Sequence, residues 1–295
     1  MNYFIKQQLK AVEMIFENWM KKRASEGIVS DDIEIISNIP YIDDGNSCHM
    51  LDIYRPARAS EPLPVIANLH GGGFLLCTKE VNRPFCLELA KRGFLVFCID
   101  YPLVPDVDMY QILSDVSLSL NVVHNLIAEY GGDASHVYLT GDSAGAFLSI
   151  YIAASQKNPA IAHAGHFQVP TLPIKALGLI SGMFYTTKMD SIGLFLKKDF
   201  YGKDYKKHPF YKYVSPECSE IAGNLPPCFF VTSKSDNLHK HTMDLLKGLK
   251  AHNGTWEILD FPLSKRLQHD FVIISPESNA SQQAIDEIVG FLKKY

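Results

Sequence analysis

The chain has no CxxC pair, and its six cysteines (Cys48, Cys77, Cys86, Cys98, Cys218 and Cys228) show no metal-ligand spacing. Neither a zinc ribbon nor a disulfide framework is written in that pattern. Cys98 and Cys228 sit inside apolar runs, where cysteine behaves as a small buried hydrophobe. All six are read as free thiols in a reducing compartment, which makes the cytoplasm the expected address. Charge of one sign is also missing: a net charge of −4 gives nucleic acid and anionic membrane no electrostatic footing. No stretch is long and apolar enough to span a bilayer. Lys6, Lys10, Glu13 and Glu17 interrupt any apolar core of a secretory signal, so none is expected. No internal repeat or low-complexity tract is visible.

With 295 residues, 47% of them apolar, there is material for one large α/β domain or two smaller ones. The first segment carries Ile5, Leu9, Val12, Phe16 and Trp19 at helical steps of four and three. That stripe fits a helix docked on the body, part of a lid, or an interfacial membrane helix, the last least favoured by its mixed polar face. From Ile33 onward short β-type runs take over. Strands are expected at Cys48–Tyr54, Val65–Leu69, Phe94–Ile99, His136–Thr140, Ala176–Ser181, Pro227–Thr232 and Trp256–Phe261. Helices are expected at Arg83–Arg92, Gln111–Tyr130, Ala144–Gln156, Lys240–His252 and Ser278–Lys294. This alternation predicts an α/β protein with a mostly parallel, twisted sheet and helices on both faces. The long interval 182–225 breaks the rhythm and reads as a folded insertion. It follows a strand's C-terminal end, where open α/β sheets bind ligands, which makes it a cap candidate. A single domain over 1–295 is expected, with cap elements at about 1–40 and 182–225.

The run Gly141-Asp142-Ser143-Ala144-Gly145 matches Gly-x-Ser-x-Gly between a β-type and a helix-type segment. The turn is too tight for side chains on either side, and the serine must adopt a strained backbone to clear the sheet. A serine hydroxyl needs a base, and the base needs an acid to fix its tautomer. With such a turn the partners follow in the order acid, then histidine. His239, His241, His252 and His269 are the available bases. His252 reads as a helix C-terminus, and His239 and His241 begin a helix; their spacing suggests a metal pair only weakly without a carboxylate or thiolate beside it. His269, in the loop after the last strand, is the best placed. Asp236, just past the penultimate strand, is the preferred acid, compatible with a helix-capping role. Asp260 lies within a strand, and Asp270 adjoins the histidine, which usually points its side chain elsewhere.

His70-Gly71-Gly72-Gly73-Phe74 follows the strand ending at Leu69. Three glycines let backbone N–H groups converge on a carbonyl oxygen, and with the N–H of Ala144 they would form an oxyanion hole. A flexible turn or a phosphate cradle are the alternatives, but no Walker lysine follows and GxGxxG is not matched. His70 is read as bracing the loop.

These two motifs resemble the hormone-sensitive-lipase-like branch of the α/β-hydrolase esterases. Asp52-Ile53-Tyr54-Arg55-Pro56, Gly132-Asp133 and His269-Asp270-Phe271 are similar to further elements of that family. Asp100-Tyr101-Pro102-Leu103-Val104-Pro105-Asp106 resembles its Asp-Tyr-Arg-Leu-Ala-Pro-Glu, with Pro102 replacing the arginine and Asp106 standing as partial substitute for the glutamate. Asp236-Asn237-Leu238 replaces its common Asp-Pro-Leu. The resemblance implies an α/β-hydrolase fold and hydrolysis of carboxylic esters without cofactor or metal. Ser143, His269 and Asp236 would form the triad, and Gly71, Gly72 and Ala144 the oxyanion hole. A small-molecule ester, short in its acyl chain, is the expected substrate; a homodimer is compatible. A formamidase or amidase on the same triad is the enzymatic alternative. A non-catalytic receptor is the other, opposed by retention of all three triad residues. Phe184, Tyr185, Phe195, Tyr201 and Phe210 are candidates for an acyl pocket or for the insertion's own core.

Overall fold

The sheet is assembled from runs that bury both faces. In the computed structural model, which describes residues 31–188 and 200–295, the strands are β1 (Ile33–Pro40), β2 (Met50–Pro56), β3 (Leu63–Leu69), β4 (Leu95–Ile99), β5 (Gly132–Asp142), β6 (Ile174–Ile180), β7 (Cys228–Ser233) and β8 (Trp256–Phe261). They form one eight-stranded sheet in the order β1-β2-β4-β3-β5-β6-β7-β8. Pairing is antiparallel at β1/β2 and β2/β4 and parallel from β4 to β8. The stripe from Ile5 to Trp19 and Phe195 lie outside the described residues.

The helices are α1 (Arg83–Lys91), α2 (Met109–Leu126), α3 (Ala144–Lys157), α4 (Pro159–Ala164), α5 (Ser219–Ala222), α6 (His239–Ala251), α7 (Phe271–Ile274) and α8 (Asn279–Leu292). Alternation along β4 shows how they divide. Leu95, Phe97 and Ile99 pack into the core shared with α2 and α3, while Val96 and Cys98 face the core shared with α1 and α8. Such a strand, covered on both sides, is continuously apolar in sequence. Helix α3 is buried from Ala144 through Ser155, so it is apolar nearly all round. By contrast α2 begins with an ordinary cap, Asp108 accepting from the Gln111 N–H at 3.0 Å.

Two expectations need correction. Residues 33–40, expected within a cap element, form edge strand β1, because Ile33 and Ile35 pack on one face and Ile36 and Ile39 on the other. Strand β5 starts at Gly132 and runs for 11 residues, longer than the apolar run that signalled it. Of the two alternatives for the insertion's aromatics, the described ones take the core: Phe184, Tyr185, Tyr201 and Phe210 are buried around α3 and do not line the cavity beside Ser143. Phe147 meets Phe200 at 5.8 Å between ring centroids, Tyr151 meets Phe210 at 5.4 Å, and the Tyr151 hydroxyl donates to the Tyr213 carbonyl at 2.6 Å.

Register brings the strand ends to one rim. Leu69 pairs with Gly141, Asp142 with Ile180, Ile180 with Val231, and Ser233 with Phe261. The residues that follow β3, β5, β6, β7 and β8 therefore leave the sheet side by side.

Candidate active site

Ser143 occupies the turn between β5 and α3 at φ 46°, ψ −109°, a backbone conformation that L-residues rarely tolerate. Neighbouring backbone holds it there. The Ser143 N–H donates to the Ile180 carbonyl and the Met183 N–H to the Ser143 carbonyl, each at 2.9 Å. The flanking glycines are steric requirements. A Cβ on Gly145 would lie 2.6 Å from the Leu69 carbonyl carbon and 2.7 Å from the His70 oxygen. One on Gly141 would lie 2.8 Å from the Ala146 nitrogen. Without those atoms α3 seats its N-terminus against the end of β3.

The three side chains singled out in the sequence meet in one line. His269 Nε2 is 3.0 Å from Ser143 Oγ, and His269 Nδ1 is 2.9 Å from Asp236 Oδ1. That same Asp236 oxygen accepts from the Leu238 N–H at 2.7 Å, so capping and orienting roles coincide. Burial pushes the Asp236 carboxyl up, but the His269 hydrogen bond and charge, with the Leu238 N–H, hold it below the usual carboxylate range. His239 instead pairs with Asp260 at 3.1 Å, and His241 Nδ1 accepts from the Tyr185 N–H at 3.3 Å. Neither residue lines the cavity beside Ser143. His252 caps the C-terminus of α6.

Gly71, Gly72 and Gly73 line the cavity beside Ser143. Gly72 has φ 102°, and a Cβ there would lie 2.8 Å from the Leu76 carbonyl carbon, so no other residue fits. Ala144 opens α3, and the first N–H groups of a helix have no intrahelical acceptor. His70 braces the loop from below. It is fully buried and stacked on Tyr101 at 4.2 Å, with Nδ1 2.8 Å from the Gly71 carbonyl and Nε2 3.0 Å from Asp100. Both partners are acceptors, so both ring nitrogens carry protons. Burial lowers the His70 pKa, yet the Asp100 hydrogen bond and charge outweigh that and raise it. The Tyr101 hydroxyl donates to the His70 carbonyl at 2.6 Å. Asp106, expected as a substitute brace, is exposed in a turn. Tyr101, Asp100 and His70 do that work instead.

Two further carboxylates, Asp142 and Asp270, stand at the site without having been assigned a role from sequence. Asp142 accepts from Asn82 Nδ2 at 2.6 Å, which explains why Asn82 precedes α1 without capping it. Burial and then the charge of Asp270 push the Asp142 carboxyl up to about 7, with the Asn82 hydrogen bond opposing. A residue next to a histidine usually points its side chain elsewhere, but Asp270 does not. At φ 54°, ψ 28° its left-handed backbone turns the side chain back, and Oδ2 lies 3.0 Å from His269 Nε2. Aspartate tolerates that conformation better than most residues, the only sequence cue available.

The cavity has a volume of about 280 Å³, small for a ligand site. Leu76, Cys77, Val81, Met183, Leu238, Ile273 and Ile274 give it apolar walls, and Ser143, His269, Asp142 and Asp270 one polar side. Among the described residues no lysine or arginine lines it.

A parallel sheet with a serine turn after its central strand, an imidazole and a carboxylate at the same rim defines the α/β-hydrolase class. The chain belongs to the α/β-hydrolase family, whose fold model matches residues 66–273. Among curated proteins it is similar to a probable isoprenylcysteine α-carbonyl methylesterase of Arabidopsis thaliana, 37% identical over 99 residues, which is 34% of this chain and 21% of that protein. It is also similar to the esterase LipQ of Mycobacterium tuberculosis, 27% identical over 68% of this chain and 48% of that one. The kynurenine formamidase of Salmo salar is 30% identical over 51% of this chain and 47% of its own length. The chain thus matches less than half the length of each of these relatives. Esterase B from Lactobacillus rhamnosis, in its tributyrin phosphonate structure, shares the fold with a TM-score of 0.91 at 22% identity, over 100% of this chain and 96% of that one. Among the described residues no helix is long and apolar enough to cross a membrane.

Proposed function

We propose that this chain hydrolyses carboxylic esters with short acyl groups through an acyl-enzyme on Ser143. One observation carries the reading: the continuous line Ser143–His269–Asp236, with steps of 3.0 and 2.9 Å, opens on an apolar cavity beside a glycine loop. His269 Nε2 takes the hydroxyl proton as Ser143 Oγ attacks the ester carbonyl carbon. The oxyanion that forms is held by the N–H groups of Gly71, Gly72 and Ala144. Collapse expels the alcohol, which receives the proton from Nε2. Water, deprotonated by the same nitrogen, then releases the acid and restores Ser143. Asp236 keeps the proton on Nδ1 and stabilises the imidazolium. The cavity volume favours acyl groups of a few carbons, and the segment 182–225 serves as a small cap, contributing Met183 to the wall. Every group in this scheme comes from a single chain. Six free thiols suit a cytoplasmic setting.

Ser143→Ala is expected to lower kcat for 4-nitrophenyl acetate by roughly 10⁴-fold or more while leaving the melting temperature nearly unchanged. Wild-type protein should be labelled by a fluorophosphonate at Ser143; a folded protein that takes no label refutes the reading and returns the chain to the binding-protein alternative. The similarity to a formamidase supports a second reading, amide or formamide hydrolysis on the same groups. Comparison of a phenyl acetate with the matching anilide separates the two.

A further inference from the structure

Building on the serine-hydrolase reading, we infer that Asp270 is a positioning residue that sets leaving-group preference: by holding the Nε2 edge of His269 it strengthens the ring as a base and weakens it as an acid, so the site selects esters of acidic alcohols over alkyl esters and amides.

Two groups share one nitrogen of the imidazole. Ser143 Oγ and Asp270 Oδ2 each lie 3.0 Å from His269 Nε2. In the usual arrangement that nitrogen faces the serine and the substrate, and the carboxylate sits only on the other side of the ring. Here the imidazole lies between two carboxylates, Asp236 on Nδ1 and Asp270 on Nε2. The second one is fixed in place. Its N–H donates to Ser181 Oγ at 3.2 Å, and its carbonyl accepts from the N–H groups of Ile273 and Ile274 at 2.9 Å. The other carboxyl oxygen, Oδ1, is buried and has no hydrogen-bond partner among the described residues. His269 is therefore the principal group compensating the Asp270 charge.

When Nε2 carries a lone pair, an ionised Asp270 at 3.0 Å repels it; when Nε2 carries a proton, the same carboxylate attracts it, and that attraction opposes the burial that pushes the Asp270 carboxyl up. The ring gains basicity between these states. Burial alone would lower the His269 pKa, but the charge of Asp270, followed by the hydrogen bond to Asp236, raises it well above that of a free imidazole. In the first step a C–O bond forms to Ser143 and its proton moves to Nε2, which Asp270 favours. In the second step the bond to the leaving group breaks, and the proton must pass from Nε2 to the departing atom, which Asp270 opposes. A phenol-type oxygen departs as an anion and needs little of that proton. An amine cannot leave without it, and an alkoxide leaves poorly. The groups facing this pair are Asp236 from the β7–α6 loop and Asp142 from β5, with Asn82 and His70 behind Asp142.

Asp270→Asn tests the inference, because asparagine keeps the size and the tolerance for left-handed backbone while losing the charge. Rates are measured from pH 5 to 10 on a series of substituted phenyl acetates, ethyl acetate and an acetanilide. The acidic limb of kcat/KM is expected to move down by about 1–3 pH units in the variant. The ratio of phenyl to ethyl ester activity should fall by roughly tenfold, with weaker dependence on leaving-group pKa. Asp270→Gly, which relieves the positive φ altogether, must give the same two changes. Unchanged limb and unchanged leaving-group dependence in a variant that still takes the fluorophosphonate overturn the role of Asp270. Absence of labelling in both wild type and variants overturns the hydrolase reading instead.

Discussion

Gly145→Ala and Gly290→Ala are the same chemical change with opposite expected signs. At Gly145 the new methyl would lie 2.6 Å from the Leu69 carbonyl carbon and 2.7 Å from the His70 oxygen, both backbone atoms of the sheet rim. Backbone there cannot rotate aside, so α3 must shift away from β3. Overpacking of this kind costs about 1–3 kcal/mol. At roughly 2–4 °C per kcal/mol for a chain of this order of size, the melting temperature should drop by about 2–12 °C. The same shift carries Ser143 and the Ala144 N–H away from the glycine loop. Loss of one oxyanion donor typically costs about 10²–10³-fold in kcat, so turnover should fall out of proportion to stability. Gly290 lies in α8 with nothing within 4 Å of an added Cβ. Alanine there should stabilise by about 0.4–1 kcal/mol and leave kcat alone. Thermal melts and 4-nitrophenyl acetate turnover on both variants decide the matter. A Gly145→Ala protein with wild-type melting and turnover would refute the claim that the helix is seated by that contact.

Asp236→Asn should reduce kcat by about 10⁴-fold, since an amide cannot hold the proton on Nδ1, with burst labelling of Ser143 slowed in parallel; a variant above a tenth of wild-type activity reassigns the acid. Asp142→Asn tests the buried carboxyl. Its folded pKa is raised from 3.8 to about 7, so Asp142 contributes stability fully present below 3.8 and lost as pH rises through about 7. Asparagine does not titrate. The stability of the variant relative to wild type should therefore grow across that window by on the order of 1 kcal/mol per pH unit and level off above it. Melts from pH 4 to 8 that keep a constant gap contradict the assignment.

The legible parts of this molecule are those where one local constraint dominates. Strands such as β4 announce themselves because both faces are covered, and the turn at Ser143 because only glycines fit its flanks. His269 was reachable by elimination along the chain, and Asp236 from its place after a strand. The insertion's aromatics were legible only as alternatives, core or cavity wall, because hydrophobicity does not say which neighbour a ring meets. Asp270 needed a dihedral angle: one residue in left-handed backbone reverses the side chain, and nothing in His269-Asp270-Phe271 states it. The Asn82–Asp142 bond joins residues 60 positions apart through space, and it converts a helix-capping residue into a partner of the serine turn. Asp106 misled because motif alignment carries no information on exposure.

Phe74 of the glycine loop lies 4.4 Å from Phe200 and 5.4 Å from Phe147, which continues through Tyr151 at 4.5 Å to Phe210 at 5.4 Å. These rings tie the oxyanion loop, the nucleophile's helix and the excursion after β6 into a single spine. Anyone grafting a relative's excursion onto this scaffold to widen its diet inherits a three-body problem: unless the donor brings rings matched to Phe74 and Phe147, the transplant will loosen the loop that must greet the carbonyl oxygen.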